Sequence, residues 1–187
     1  MNLNNIQKKS GFSAVELLVT LSIATILAMV ATPSFLNLIE NSRLDSNKLD
    51  ITTALSTARL TAINRSVTVS ICSSIDSSTC RADGGKNDWS DGWIVFVDIN
   101  GDGVVDSPDC SDLTKDCILK VWGALAEADV MTGTNNVVVY NAEGSLTGLA
   151  QNMVLSPKAL IDCGADQKMT IAIGVSGKTT ITTADCS

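Results

Sequence analysis

The sequence contains no histidine, so the commonest catalytic base is missing from the chain. Neither a Ser-His-Asp triad nor a Cys-His pair can be assembled without it. The glycines also lack the spacing of a phosphate-binding loop or of a dinucleotide fingerprint, and their pairs are typical of turns. We therefore expect that the protein is not an enzyme.

Positive charge is scarce as well. The chain has 13 lysines and arginines against 20 aspartates and glutamates, which gives a formal net charge of −7. Phosphate backbones and anionic lipid surfaces are bound through clustered cations. The overall charge therefore argues against nucleic acid as a partner.

One long apolar run is present near the N-terminus. Phe12 to Thr32 form 21 residues with a single charged side chain, Glu16, and about 20 apolar residues are enough to cross a bilayer as a helix. A carboxylate inside such a segment is costly and is usually functional. The basic residues Lys8 and Lys9 precede the run, and the positive-inside rule assigns them to the cytoplasmic side. A secretory signal peptide would carry its cleavage site after the apolar stretch, whereas here a glycine precedes it.

This order of parts resembles the type IV pilins and the pseudopilins of type II secretion. In that family a prepilin peptidase cuts after the leader glycine and N-methylates the next residue, which implies cleavage between Gly11 and Phe12. The resemblance further implies that Glu16 neutralises the N-terminal amine of a neighbouring subunit and that Pro33 is the helix-kinking proline. A plain N-terminal membrane anchor is the alternative to this family motif. For Glu16, the alternative to pairing is a side chain that reaches back to the cytoplasmic interface.

Residues 12–65 are predicted to form one long helix. Its first half is apolar on all sides, and after Pro33 an apolar stripe with the helical period begins. We expect this stripe to pack on the domain that follows. Its members are Leu44, Ile51, Leu55, Ala58 and Ala62.

From Val67 the pattern changes to period two or to short β-branched runs, which indicates strands. Residues 131–136 have the composition of a connection, and residues 123–129 are compatible with a short turn of helix. The predicted fold class is therefore α+β, a helical spine packed on an antiparallel sheet. The predicted strands are 67–72, 93–98, 118–122, 137–140, 153–155, 169–175 and 179–183.

All six cysteines follow the apolar run, and an even count in an exported domain indicates disulfides. Six cysteines allow fifteen sets of disulfide pairs. A zinc site is the alternative interpretation of these cysteines, although the chain has no C-x-x-C motif. Our hypothesis joins neighbours in sequence: Cys72–Cys80, Cys110–Cys117 and Cys163–Cys186.

An acidic segment follows the strand at residues 93–98 and matches the first half of a calcium loop, D-x-[DN]-x-[DN]-G. An ordinary acidic turn is the alternative, with Asx side chains bonding local N–H groups. A bound Ca²⁺ would be structural. Its ligands would be Asp98, Asn100, Asp102, the carbonyl of Val104, Asp106 and Asp109.

Further motifs are Ala54-x-x-x-Ala58-Arg59-x-x-Ala62-x-x-Arg65, a strand that ends in Cys72, and the run from Asp91-Gly92-Trp93 to Asn100. With them, most of residues 8–106 resembles the GspH/FimT/FimU group of minor pilins and pseudopilins. Some FimT-like members act in DNA uptake through a basic G-R-x-R element, where this chain has Gly177-Lys178-Thr-Thr with one positive charge. Lys178 would be the residue that contacts DNA in that alternative, and clustered cations are missing.

The sequence therefore predicts a minor pilin of a type IV pilus, with a minor pseudopilin of type II secretion and a DNA-binding pilin as alternatives. Its parts are a leader (1–11), a transmembrane or filament-core helix (12–33), the amphipathic half of the spine (34–65) and a disulfide-stapled β domain (66–187). Its expected partners are other pilins, the prepilin peptidase and the inner-membrane assembly platform. The expected location is the inner membrane with the β domain in the periplasm, and then the filament, at its tip.

Overall fold

One helix and two antiparallel sheets make up the part of the chain that the computed structural model describes, residues 12–82, 87–106, 108–158 and 167–185. Helix α1 runs from Ala14 to Arg65, close to the predicted bounds. Ser13 caps its start, since its Oγ accepts the Val15 N–H at 3.4 Å. The helix ends at Ser66, whose φ of 53° turns the chain out of the helical path.

The chain divides into two compact units, one reaching to Glu40 and the other spanning Asn41–Ser187. The first unit holds the N-terminal part of α1. No helix within the described residues is both long enough and apolar enough to span a membrane. The second unit holds the rest of α1 and the described strands. The boundary lies within the predicted amphipathic half of the helix.

The described strands form two sheets of four. Their bounds are β1 Val69–Ser73, β2 Trp93–Val97, β3 Cys117–Trp122, β4 Asp129–Gly133, β5 Val137–Tyr140, β6 Gln151–Pro157, β7 Lys168–Ile173 and β8 Thr179–Ala184. The first sheet has the order β3-β2-β1-β5, and the second has the order β4-β6-β7-β8. Every pairing is antiparallel, as predicted.

Strand β4 was not predicted, and the region before it is not helical. The sequence predicted a connection over residues 131–136, but residues 131–133 belong to β4 and only residues 134–136 connect it to β5. Residues 123–129, which the sequence left compatible with a turn of helix, are not helical. Tertiary hydrogen bonds explain the difference. The Leu125 N–H donates to the Ser90 carbonyl at 2.8 Å, and the Met131 carbonyl accepts the Trp89 N–H at 2.8 Å. These bonds hold an extended chain that local composition does not favour.

The core of the second unit lies on the apolar stripe of α1. The five predicted stripe residues are each no more than 1% exposed, and Ala54 joins them. Strand β2 is buried on both faces, as its continuous apolar sequence suggests. Trp93 and Val95 face the main core, whereas Ile94 and Phe96 face a smaller cluster with Cys72. This division between faces is the one that strand alternation predicts.

Candidate assembly surface

The N-terminal part of α1 presents large apolar side chains to the outside. Phe12 is 80% exposed, Leu27 is 64% exposed and Met29 is 77% exposed. Contiguous apolar exposure of this kind marks a surface that contacts protein or lipid. The other exposed members up to residue 29 are Val15, Leu17, Leu18, Val19, Leu21, Ile23 and Ile26.

The hydroxyl groups on this surface are hydrogen-bonded within the helix itself. Thr20 Oγ1 donates to the Leu17 carbonyl at 2.9 Å, Ser22 Oγ donates to the Leu18 carbonyl at 2.8 Å, and Thr25 Oγ1 donates to the Ser22 carbonyl at 2.8 Å. A polar group that enters an apolar environment needs such a partner. These three residues are therefore compatible with lipid or with a packed helix bundle.

Glu16 is the exception on the same surface. It lies in the first turn of α1, is exposed and has no hydrogen bond or ion pair among the described residues. A carboxylate in the first turn is favoured by the helix dipole. An unpaired carboxylate amid apolar side chains is costly once water is removed, and an opposite charge beside it offsets that cost.

The other predicted processing and assembly residues can be placed only in part. Gly11 lies outside the described residues, and Phe12 is the first described residue. The backbone of α1 is helical through residue 33, whereas the side chain of Pro33 lies outside the description. Cleavage between Gly11 and Phe12 and a kink at Pro33 therefore remain predictions.

A buried ion pair holds the C-terminal part of α1 to strand β4. Arg43 donates from Nε and Nη2 to the two carboxylate oxygens of Asp129, both at 2.8 Å. Asn47, one turn further along the helix, donates to the same carboxylate at 2.7 Å. The Asp129 side chain is fully buried. This contact was not predicted from the sequence.

A second arginine of α1 binds two loops through their backbone. Arg59 Nε donates to the Gly144 carbonyl at 2.9 Å, and Nη2 donates to the Ser176 carbonyl at 3.0 Å. The loops approach so closely that a Cβ at Gly177 would lie 2.0 Å from the Gly144 oxygen. The adjacent Tyr140 is buried, and this burial raises its pKa to about 12, although the positive charge of Arg59 acts to lower the pKa. Sequence reasoning missed this contact.

The acidic segment after β2 forms a turn closed by hydrogen bonds. Asp98 is fully buried and accepts bonds from Ser70 Oγ at 2.6 Å, from the Gly101 N–H at 2.7 Å and from the Gly103 N–H at 2.9 Å. Both glycines have positive φ, 74° and 78°. Asp116 closes the other side, since its carboxylate accepts the N–H groups of Ile99 and Asp106.

The predicted calcium ligands make hydrogen bonds within the chain. The Asn100 amide donates to Asp102 at 2.9 Å and to Asp106 at 3.3 Å, so an N–H donor lies between these carboxylates. The Val104 N–H donates to the Asp102 carboxylate. Asp109 lies in a separate turn, where its carboxylate accepts hydrogen bonds from the hydroxyl and the N–H of Ser111, and these bonds lower the pKa of Asp109. No group of three metal-ligating Asp, Glu, His or Cys side chains occurs in the described ranges. These hydrogen bonds are those expected of an acidic turn, and calcium binding at these residues stays a prediction.

Two of the three expected disulfides lie within the described residues, and both are present. Cys72–Cys80 closes a loop next to β1, and Cys110–Cys117 closes the loop that leads into β3. Cys163 and Cys186 lie outside the described residues, so their pairing remains a prediction. No described cysteine is free.

Lys178 lies in the turn between β7 and β8 and is exposed. The neighbouring Arg59 directs its guanidinium at backbone carbonyls. Phosphate recognition needs several available cations. The arrangement adds nothing in favour of the DNA-binding alternative.

Two crystal forms of one minor pilin have a fold similar to that of this chain. The type IV minor pilin FimU of Pseudomonas aeruginosa strain PAO1 matches in its P21 crystal form with a TM-score of 0.55 and 16% identity, over 79% of this chain and 98% of that chain. Its P65 form gives a TM-score of 0.52 and 14% identity, over 76% of this chain and 99% of that chain. The minor pseudopilin EpsH of the Vibrio cholerae Type 2 Secretion System gives a TM-score of 0.47 and 10% identity, over 75% and 97% of the two chains. No curated protein matches the sequence.

The helix, the antiparallel sheets and the likeness to FimU define a pilin fold. Residues 49–177 match the family described as Type II transport protein GspH. This match covers more than half of the chain, and the protein belongs to that family. The resemblance to the GspH/FimT/FimU group is thereby confirmed.

Proposed function

We propose that this chain is a minor pilin that primes or occupies the tip of a type IV pilus. A minor pseudopilin of type II secretion is the alternative function on the same fold. Membership of the GspH family supports both. The observation that carries an assembly role is the exposed apolar surface of α1 up to residue 29, because such a surface needs a partner outside the chain.

The first environment of this surface is the inner membrane. The apolar run continues in sequence from Phe12 to Thr32, which is long enough for a single crossing. Lys8 and Lys9 would remain cytoplasmic, and the cysteine-containing domain would lie in the periplasm, where disulfides form. The prepilin peptidase would then remove residues 1–11 and methylate Phe12, as the family resemblance implies.

The second environment is the core of a filament, reached through the inner-membrane assembly platform. Here Glu16 would pair with the N-terminal amine of the adjacent subunit and fix the register between helices. The support is physical: Glu16 has no partner among the described residues, while the neighbouring hydroxyls are already bonded within the helix. An unpaired carboxylate in an apolar core is expensive, so correct register lowers the free energy of assembly.

A strain lacking this chain tests the proposal and separates it from its alternative. Surface pili and secreted extracellular enzymes would be quantified in the same cultures, with complementation by the wild-type chain. We expect loss of pili with normal secretion. Loss of secretion with normal pili would assign the chain to the secretion system instead, and no change in either would contradict both functions.

A further inference from the structure

Besides Tyr140 Oη at the far end of β5, three buried polar atoms in or beside the first sheet have no hydrogen-bond partner among the described residues. They are Ser73 Oγ, Trp93 Nε1 and Asn136 Oδ1. Ser73 is 0% exposed and Trp93 is 1% exposed. A buried polar group left without a partner costs about 1–3 kcal/mol, and native proteins rarely leave several together unsatisfied.

The strand register brings these three residues into one row. Ser73 lies directly opposite Trp93 in the pairing of β1 with β2. On the other side of β1, the Ser73 N–H donates to the Asn136 carbonyl at 2.9 Å, one residue beyond the Cys72–Val137 pair. Residues opposite each other in a sheet project their side chains on the same face.

That face is the one that points into the main core. Two residues further along each strand, Ile71, Val95 and Val138 lie opposite one another and belong to the core of the second unit. The row therefore places one polar side chain from each of three neighbouring chain segments against apolar packing. Each of the three polar atoms is itself buried.

The chemistry of the row identifies what can satisfy it. The Trp93 indole N–H only donates, the Asn136 Oδ1 only accepts, and the Ser73 hydroxyl does both. A cation would be repelled by the indole N–H, and an anion would be repelled by the amide oxygen. The ligand must be neutral, small, and able to donate and accept at once. A buried water needs two to four polar partners, and this row supplies three.

We propose that one buried water molecule bridges Trp93 Nε1, Ser73 Oγ and Asn136 Oδ1. The water accepts from the indole, donates to the amide oxygen and shares a hydrogen bond with the hydroxyl. It joins β2, β1 and the start of β5 at the end of the sheet where Trp93 stacks on Trp122 with ring centroids 6.3 Å apart. This inference is independent of the proposed function.

The tryptophan indoles provide a direct test with an internal control. The uniformly ¹⁵N-labelled full chain in detergent micelles would be studied by water-selective NOESY and ROESY, with indole signals assigned by Trp→Phe variants. We expect a cross peak with a long-lived water at the Trp93 Nε1 proton. No such peak is expected at Trp89, whose Nε1 donates to the Asn135 carbonyl at 2.9 Å.

A variant of similar shape sharpens the test. Asn136→Leu removes the acceptor and keeps the side-chain volume, so the Trp93 cross peak should be lost while the Trp89 indole signal stays in place. Absence of a water cross peak at Trp93 in the wild-type chain would overturn the proposal. So would a crystal structure of the full chain in which the Ser73 hydroxyl bonds the indole and the amide directly.

Discussion

The two parts of helix α1 put their apolar side chains to different uses. Up to residue 29, the described leucines, isoleucines and valines are exposed, with Leu27 at 64%. Beyond Asn41 a stripe is buried in the second unit, with Leu55 at 1%. One continuous helix thus carries a surface that is satisfied within the chain and another that needs partners from outside it.

The sequence pattern explains this difference. The C-terminal part repeats its apolar residues at helical spacing, so one face suffices and polar residues occupy the others. The N-terminal part is apolar on all sides, which suits lipid or a bundle of neighbouring helices. Exposure along a helix therefore distinguishes a folding surface from an assembly surface.

The largest difference in stability should appear when one leucine is truncated in each part. Leu55→Ala is expected to lower the free energy of unfolding by about 3 kcal/mol, because it leaves a cavity in the core. Leu27→Ala should change it by less than about 0.5 kcal/mol. Urea unfolding of the full chain in micelles, followed by tryptophan fluorescence, measures both. Equal losses would contradict the division of the helix into two surfaces.

The next effect concerns the ion pair that ties the C-terminal part of α1 to β4. Asp129→Ala should lower the free energy of unfolding by about 3 kcal/mol, since it removes a fully buried carboxylate that accepts hydrogen bonds from the half-buried Arg43 and Asn47. The matched control is Asp45→Ala, whose carboxylate is 59% exposed and pairs with Lys48. That change should cost less than about 0.5 kcal/mol. Similar losses in the same unfolding assay would mean that Asp129 is not a structural tie.

A smaller effect should follow from alkaline pH through Tyr140, the sole tyrosine of the chain. Burial raises its pKa to about 12, whereas an unfolded tyrosine has a pKa of about 10. The folded state therefore keeps the proton that the unfolded state releases, and this contribution is complete below pH 10. It falls as the pH rises towards 12, by up to about 2.7 kcal/mol.

The control for this pH effect is Tyr140→Phe, which removes the titrating group. Its stability should decline less steeply between pH 10 and 12 than that of the wild-type chain, measured by urea unfolding at each pH. Parallel declines would show that Tyr140 does not titrate with the shifted pKa.

The smallest expected effect is that of metal removal. EDTA and added calcium should leave the melting temperature unchanged, because the acidic turn is already closed by its own hydrogen bonds. Asp98→Ala should lower the melting temperature equally with and without calcium. A decrease in EDTA that calcium reverses would instead favour the cation site and contradict the hydrogen-bonded turn.

Local pattern was enough to predict most of the fold. The helical period of the apolar residues predicted α1 and its buried stripe. The alternating and β-branched runs predicted every described strand except β4, and also the two faces of β2. Strand β4 escaped because its sequence, Asp-Val-Met-Thr-Gly, ends in turn residues and begins with a charge. Its extended form depends on Trp89 and Ser90, which are distant in sequence.

The assembly surface was also predictable in outline, because a long apolar run with one carboxylate is a strong signal. The contacts of Arg43 and Arg59 were not, since each joins residues more than 80 positions apart. A polar side chain on an amphipathic helix reveals nothing locally about a distant partner. The acidic segment illustrates the same limit, because its motif is shared by calcium loops and by turns that hydrogen bonds close.

The most direct test of the central claim compares two carboxylates of α1 in assembled filaments. Glu16→Ala and Asp50→Ala chains would each be expressed in the null strain, and their amount in sheared surface filaments would be measured relative to total cellular chain. Incorporation of Glu16→Ala should fall at least about tenfold. The reason is that the N-terminal amine of the adjacent subunit would be left unpaired in the apolar core, which costs about 3 kcal/mol or more. Asp50, which is exposed in the second unit, should be dispensable. Normal incorporation of Glu16→Ala would contradict the account.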